Sequence, residues 1–151
     1  MGNHNRYYQP VSGPGYAPAY QVAAIPYATA SFQVPALGAA PTQIDFPSVS
    51  RWVTITNTHT GSTLPADLRV GFSANGVNGN GVPAGADNYF RLHAGDSFTG
   101  EWRVESVFLI ADTAAAPASA SVIAGLTQIP TGSIMGRVNG TLNWSGSIGV
   151  G

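Results

Sequence analysis

The sequence predicts an all-β protein: an eight-stranded antiparallel single jelly-roll sandwich with an extended Pro/Tyr-rich N-terminal arm. Three observations predict it. Short segments rich in Val, Ile, Thr, Phe and Trp recur at 8–15-residue spacing from Ser48 onward. Turn-forming runs such as Asn139-Gly140 and Ala94-Gly95-Asp96 separate them. No segment keeps a 3.6-residue apolar period long enough for a packed helix. At 151 residues the chain holds one domain with a sizeable core.

The composition shifts near residue 48, dividing the chain into an arm over 1–47 and a jelly-roll domain over 48–151. The arm carries seven of the eleven prolines and five of the six tyrosines, with Arg6 and Asp45 its only charges. Prolines at such short intervals forbid a helix and disfavour a central strand. Tyr7, Tyr8, Tyr16, Tyr20 and Tyr27 are too many aromatics for a solvated linker, so the arm is expected to dock them on another surface. Residues 31–38, with Phe32, Val34 and Leu37, are the expected first strand.

Beyond Ser48, Arg51–Thr56 alternates as a strand and Asn57–Pro65 turns. Asp67–Ser73 puts Leu68, Val70 and Phe72 on one face. The loop 74–86 repeats Asn-Gly, which takes positive φ at low cost. Asn88–His93, Ser97–Glu105, Ser106–Asp112 and Ser119–Ile129 are further strands, and 133–148 reads as a C-terminal hairpin about Asn139-Gly140. The inward set is Val53, Ile55, Leu68, Val70, Phe72, Phe90, Leu92, Trp102, Val104, Phe108, Ile110, Val122 and Leu126.

Six Arg, no Lys and seven acidic residues give a net charge of -1, too few cations for a protein that wraps nucleic acid. The longest uncharged run, 7–44, is interrupted by prolines and by Gln, Ser and Thr, so it is no membrane span. Met1–Pro10 does not lead into a continuous apolar block of the secretory kind. Zero Cys removes disulfides, thiolate metal sites and a Cys nucleophile.

Catalytic constellations are scarce. His93 lacks the second histidine of a cupin metal site, and His59 stands alone between threonines. His93, Asp96 and Ser97 assemble a triad only on paper, without a Gly-x-Ser-x-Gly elbow. Glu101 and Glu105, on one strand, would stand about 13 Å apart, beyond glycosidase geometry. They read as solvent-face charges alternating with buried Trp102 and Val104. The Gly/Asn loop has no Lys-Ser/Thr to make it a phosphate cradle. Asn139-Gly140-Thr141 and Asn143-Trp144-Ser145 match a glycosylation sequon, though the turn explains the first. No enzyme, cofactor or metal is expected. Trp52 and Trp102 read as core, and Trp144 as the exposed tryptophan.

Low charge, no Lys and many small side chains suit a surface buried in a permanent assembly. Arg51-Trp52-Val53-Thr54-Ile55-Thr56-Asn57, Leu68-Arg69-Val70-Gly71-Phe72-Ser73, Asn88-Tyr89-Phe90-Arg91-Leu92 and Val107-Phe108-Leu109-Ile110 follow in order. Over residues 48–130 the chain thereby resembles the single jelly-roll penton proteins of large icosahedral DNA viruses with double jelly-roll major capsid proteins. That resemblance implies a virion protein, five copies of which plug each fivefold vertex. Its implied partners are itself, the major capsid protein and other minor capsid proteins, with no direct nucleic-acid contact. Arg69, Arg91 and Arg103 are the candidate contacts to a neighbouring copy, beside the arm tyrosines. A phage tail or fibre protein, another receptor-binding jelly roll, or a carbohydrate-binding module stacking sugars on a Trp remain the alternatives.

Overall fold

A computed structural model describes residues 13–21, 23–61, 66–134 and 140–151. Tyr7 and Tyr8 lie outside the described residues, as does Asn139 of the expected hairpin turn. The elements in chain order are α1 (Pro18–Gln21), β1 (Ile25–Val34), β2 (Thr42–Asp45), β3 (Ser48–Asn57), β4 (Leu68–Gly71), α2 (Ala74–Val77), β5 (Tyr89–Leu92), β6 (Ser97–Gly100), β7 (Ser106–Ala111) and β8 (Ala118–Pro130).

The strands form two four-stranded antiparallel sheets, in the orders β1-β8-β3-β6 and β2-β7-β4-β5. Apart from the β4–β5 hairpin, consecutive strands alternate between the two layers, which is the strand order of an eight-stranded jelly roll. β1 and β2 therefore edge one flank of the sandwich, and β5 and β6 the other. Ring contacts mark both flanks: Tyr27 of β1 meets Phe46 edge-on at 5.1 Å, and Phe90 of β5 meets Phe98 of β6 at 5.1 Å.

The inter-sheet core joins Val34, Val53, Ile55, Leu68, Val70, Leu92, Val104, Val107, Leu109, Val122 and Leu126, all buried. Phe72, Phe90 and Trp102 pack on its margin, half-buried. Phe108 and Ile110 are buried too, but on the opposite face of β7, where Val77, Leu37 and Tyr89 cover them. A strand covered on both faces reads as one apolar run, so its inward parity is not visible in sequence.

Three expected boundaries move. The sandwich does not begin at residue 48, because β1 and β2 come from the segment expected to be arm. β1 is an edge strand and tolerates the donor that Pro26 lacks, while Pro35 and Pro47 stand just outside strands. A bulge between Thr29 and Phe32, with Ser31 at φ 51°, lets β1 follow β8 over its length. β6 ends at Gly100 rather than running to Glu105, since 101–105 carry the chain from one sheet to the other.

The C-terminal hairpin is the third correction. The described residues of 133–148 contain no strand, only turns and a single 3₁₀ turn at Leu142–Trp144. Asn143 and Trp144 take φ of 50° and 62°, consecutive left-handed values outside the extended range of a regular strand. Asn143 is buried, its Nδ2 donating to the carbonyls of Ser106 (2.6 Å) and Phe72 (3.2 Å). Its carboxamide is thus taken up inside the fold, away from any glycosylating surface.

Candidate functional site

The flank between β5 and β6 is aromatic. Phe98 pairs with buried Ile55 across the β3–β6 ladder and so has inward parity, yet it is 45% exposed because no strand lies beyond β6. Trp102 stacks on Phe98 with centroids 5.6 Å apart and 18° between planes, and Phe72 meets Trp102 edge-on at 4.9 Å. Such ring pairs add about 0.5–1.5 kcal/mol beyond area burial. Gly100 is required beneath this stack: a Cβ there would collide with the Trp102 indole. Next to it a cleft of about 320 Å³ is lined by Phe72, Glu101, Trp102, Arg103 and Trp144.

The opposite flank repeats the arrangement with aliphatic chemistry. Ile25 of β1 pairs with buried Leu126, shares its inward parity, and is 46% exposed.

The two broad outer faces differ in charge. On the β2-β7-β4-β5 sheet, cross-strand register sets Arg69 beside Arg91. Two like charges so placed repel, and Asp112, just after β7, resolves it by taking Arg69 on Oδ1 and Arg91 on Oδ2, the latter at 3.0 Å. The Arg69 guanidinium also lies 4.3 Å over the Tyr89 ring. A cavity of about 500 Å³ opens beside Arg69, lined further by Asp87, Asn78, Asn80 and the 37–39 turn. On the outer face of β1-β8-β3-β6 stand Pro26, Ala28, Trp52, Thr54, Thr56, Ser97, Thr99, Ser121, Ile123 and Gly125, none of them charged. Hydroxyls bond across the strands, Thr54 to Thr99 at 2.6 Å and Thr56 to Ser97 at 2.8 Å. Trp52 lies here over Gly125 rather than in the core.

Arg69 and Arg91 thus hold a carboxylate of their own chain. Arg103 donates to the Pro14 carbonyl (3.3 Å) and lies 5.6 Å over the Trp144 ring. Tyr16, Tyr20 and Trp144 pack on Val49, Ile129 and Ile134, so Trp144 is half-buried and not the exposed tryptophan. The Tyr20 hydroxyl donates to Pro14 O at 3.0 Å. Tyr27 packs against the inter-sheet core.

The paper triad is dispersed. His93 Nδ1 pairs with Asp67 at 2.9 Å, which raises the histidine above its ordinary pKa, first through that hydrogen bond and then through the carboxylate's charge. Ser97 faces Thr56, and Asp96 accepts from the His93 backbone N–H at 3.3 Å in a turn. His59 is half-buried, its backbone N–H bonded to Asn57 Oδ1 at 3.0 Å. Glu101 is exposed as expected, but Glu105 is 2% exposed and accepts from the Gly132 N–H. Because β6 has already ended, strand alternation does not reach Glu105. Among the described residues no three His, Cys, Asp or Glu side chains gather as a metal site.

Phe98, Asp112 and Asn143 carry more of these surfaces than the sequence reading gave them. Phe98 did alternate, but only its edge position exposes it. Asp112 and Arg69 are 43 residues apart, and no spacing rule joins them.

No protein-family model matches the chain, and no curated protein matches it by sequence. Among solved structures it is similar to the Yersinia pseudotuberculosis-derived mitogen, at 9% identity and a TM-score of 0.37, covering 76% of this chain and 97% of that one.

Proposed function

We propose that this chain is a structural viral capsid protein, a penton whose homopentamer plugs the fivefold vertices of an icosahedral shell, against the major capsid protein and other minor capsid proteins. The observation that carries the reading is the jelly-roll strand order combined with a broad sheet face whose register-paired outer positions, Trp52, Thr54 and Thr56 with their cross-strand partners, carry no charge. Depletion of charge is what distinguishes the buried centre of a permanent interface from ordinary surface. A small slab of this kind closes a ring through head-to-tail contacts. Catalysis has no part in this reading. Native mass measurement of the purified chain, with symmetry read from assembled particles, tests it: pentamers on fivefold axes support it, and trimers point to a tail or fibre protein.

A second reading has its own observation. The cleft between Trp102 and Trp144, rimmed by Glu101 and Arg103, has the indole walls and polar rim that bind a pyranose. A monomer that shifts Trp fluorescence on binding a glycan would favour a carbohydrate-binding module.

A further inference from the structure

From the two flanks we infer the contact that joins copies: the β5–β6 flank of one chain docks head-to-tail on the β1–β2 flank of the next. This rests on the assembly reading above and adds to it the contact between copies, leaving the uncharged sheet face to the other capsid proteins. Phe98 and Ile25 are the starting point. Both have inward parity, both sit on edge strands, and both are left nearly half exposed at opposite flanks. Phe98 forms one continuous ring cluster with Phe90 and Trp102, and an exposed apolar patch of that kind marks an interaction site.

Charge selects the partner. The β5 edge presents Arg91, 52% exposed on its side chain although Asp112 holds its Nε. The β2 edge presents Asp45, exposed and bonded to Gln43 at 2.6 Å, the one side chain among the residues of β1 and β2 that is charged at neutral pH. Arg91 on the β5 edge and Asp45 on the β2 edge attract, whereas two β5 edges brought together would set Arg91 against Arg91. The edge strand β1 adds unpaired backbone groups that a neighbour can meet. Since the two surfaces differ, the contact is heterologous and propagates until a ring closes. A second copy of this chain is therefore the occupant.

The full chain has no Cys, so introduced thiols report the contact without background. Native mass measurement of the unaltered chain over rising concentration reads assembly alone. Phe98→Cys, Ile25→Cys and the double variant are then oxidised and run without reductant. The inference expects a ladder ending at the ring size for the double variant and no linkage for either single variant. Asp45→Arg, which sets a cation opposite Arg91, should weaken association by about tenfold. Dimers from Phe98→Cys alone overturn the inference, because the flank would then meet itself. Assembly of the unaltered chain with no ladder overturns the flank contact and leaves the assembly reading standing. A chain that stays monomeric at every concentration overturns both. If Phe98→Cys alters thermal unfolding, Glu101→Cys with Gln43→Cys, exposed polar positions on the same two flanks, repeats the experiment with the same criteria.

Discussion

Asn143 accepts a hydrogen bond from the backbone N–H of Glu105 at 2.8 Å, joining the Leu142–Trp144 turn to the entrance of β7. The same carboxamide donates to Ser106 O, so one buried side chain serves both sides of the backbone where it crosses between sheets.

Asn143→Ala should lower stability by about 2–4 kcal/mol, because buried donors and acceptors lose their partner. The left-handed φ of 50° adds to the loss, since Ala is strained there. Asn143→Gly loses the bonds without that strain and should be about 1 kcal/mol less damaging. Urea midpoints at constant m-value check the order.

His93 titrates above pH 6.5 in the folded chain, held protonated by Asp67. A folded pKa raised above the unfolded one contributes stability that is present below pH 6.5 and is lost as pH rises through the folded value. Histidine NMR titration should show the raised pKa, and Asp67→Asn should lower it toward the ordinary value. No change on Asp67→Asn would separate the ring from that carboxylate.

Gly100→Ala should displace Trp102, change the Trp emission and cost about 1–3 kcal/mol, the scale of overpacking a tight contact. Unchanged emission with unchanged stability would mean that the indole has room to move.

Leu109→Ala should cost about 2–5 kcal/mol, as a fully buried side chain between the sheets. Thr54→Ala, on the outer face, should stay within about 0.5 kcal/mol. Thermal unfolding of the pair tests whether the side chains between the sheets, rather than the outer hydroxyl row, carry the stability.

The strands that alternate were legible in the sequence, and the places that misled have physical reasons. Val53, Ile55, Leu68, Val70, Val122 and Leu126 face the core as their period of two requires. β7 hid its parity because Val77 and Leu37 bury its second face. β1 was masked by Pro26, which an edge strand accepts and a central strand does not. Glu105 looked like a surface charge only while β6 was taken to continue past Gly100. The flank and the Arg69–Asp112–Arg91 cluster depend on which strands end as edges and which lie side by side. That is a property of the strand order, and no local window of sequence contains it.

The charge asymmetry between the two outer faces makes ionic strength a one-sided lever on this molecule. A ligand or neighbour held by Arg69, Arg91 and their surroundings loosens as salt screens the guanidinium groups. One seated on the hydroxyl rows of Thr54, Thr56 and Thr99 feels no such screening and tightens in sulfate, which strengthens effective burial. Sodium chloride therefore loosens a partner on the guanidinium side and spares one on the hydroxyl side, which ammonium sulfate tightens, so the response to the two salts tells which side a partner occupies.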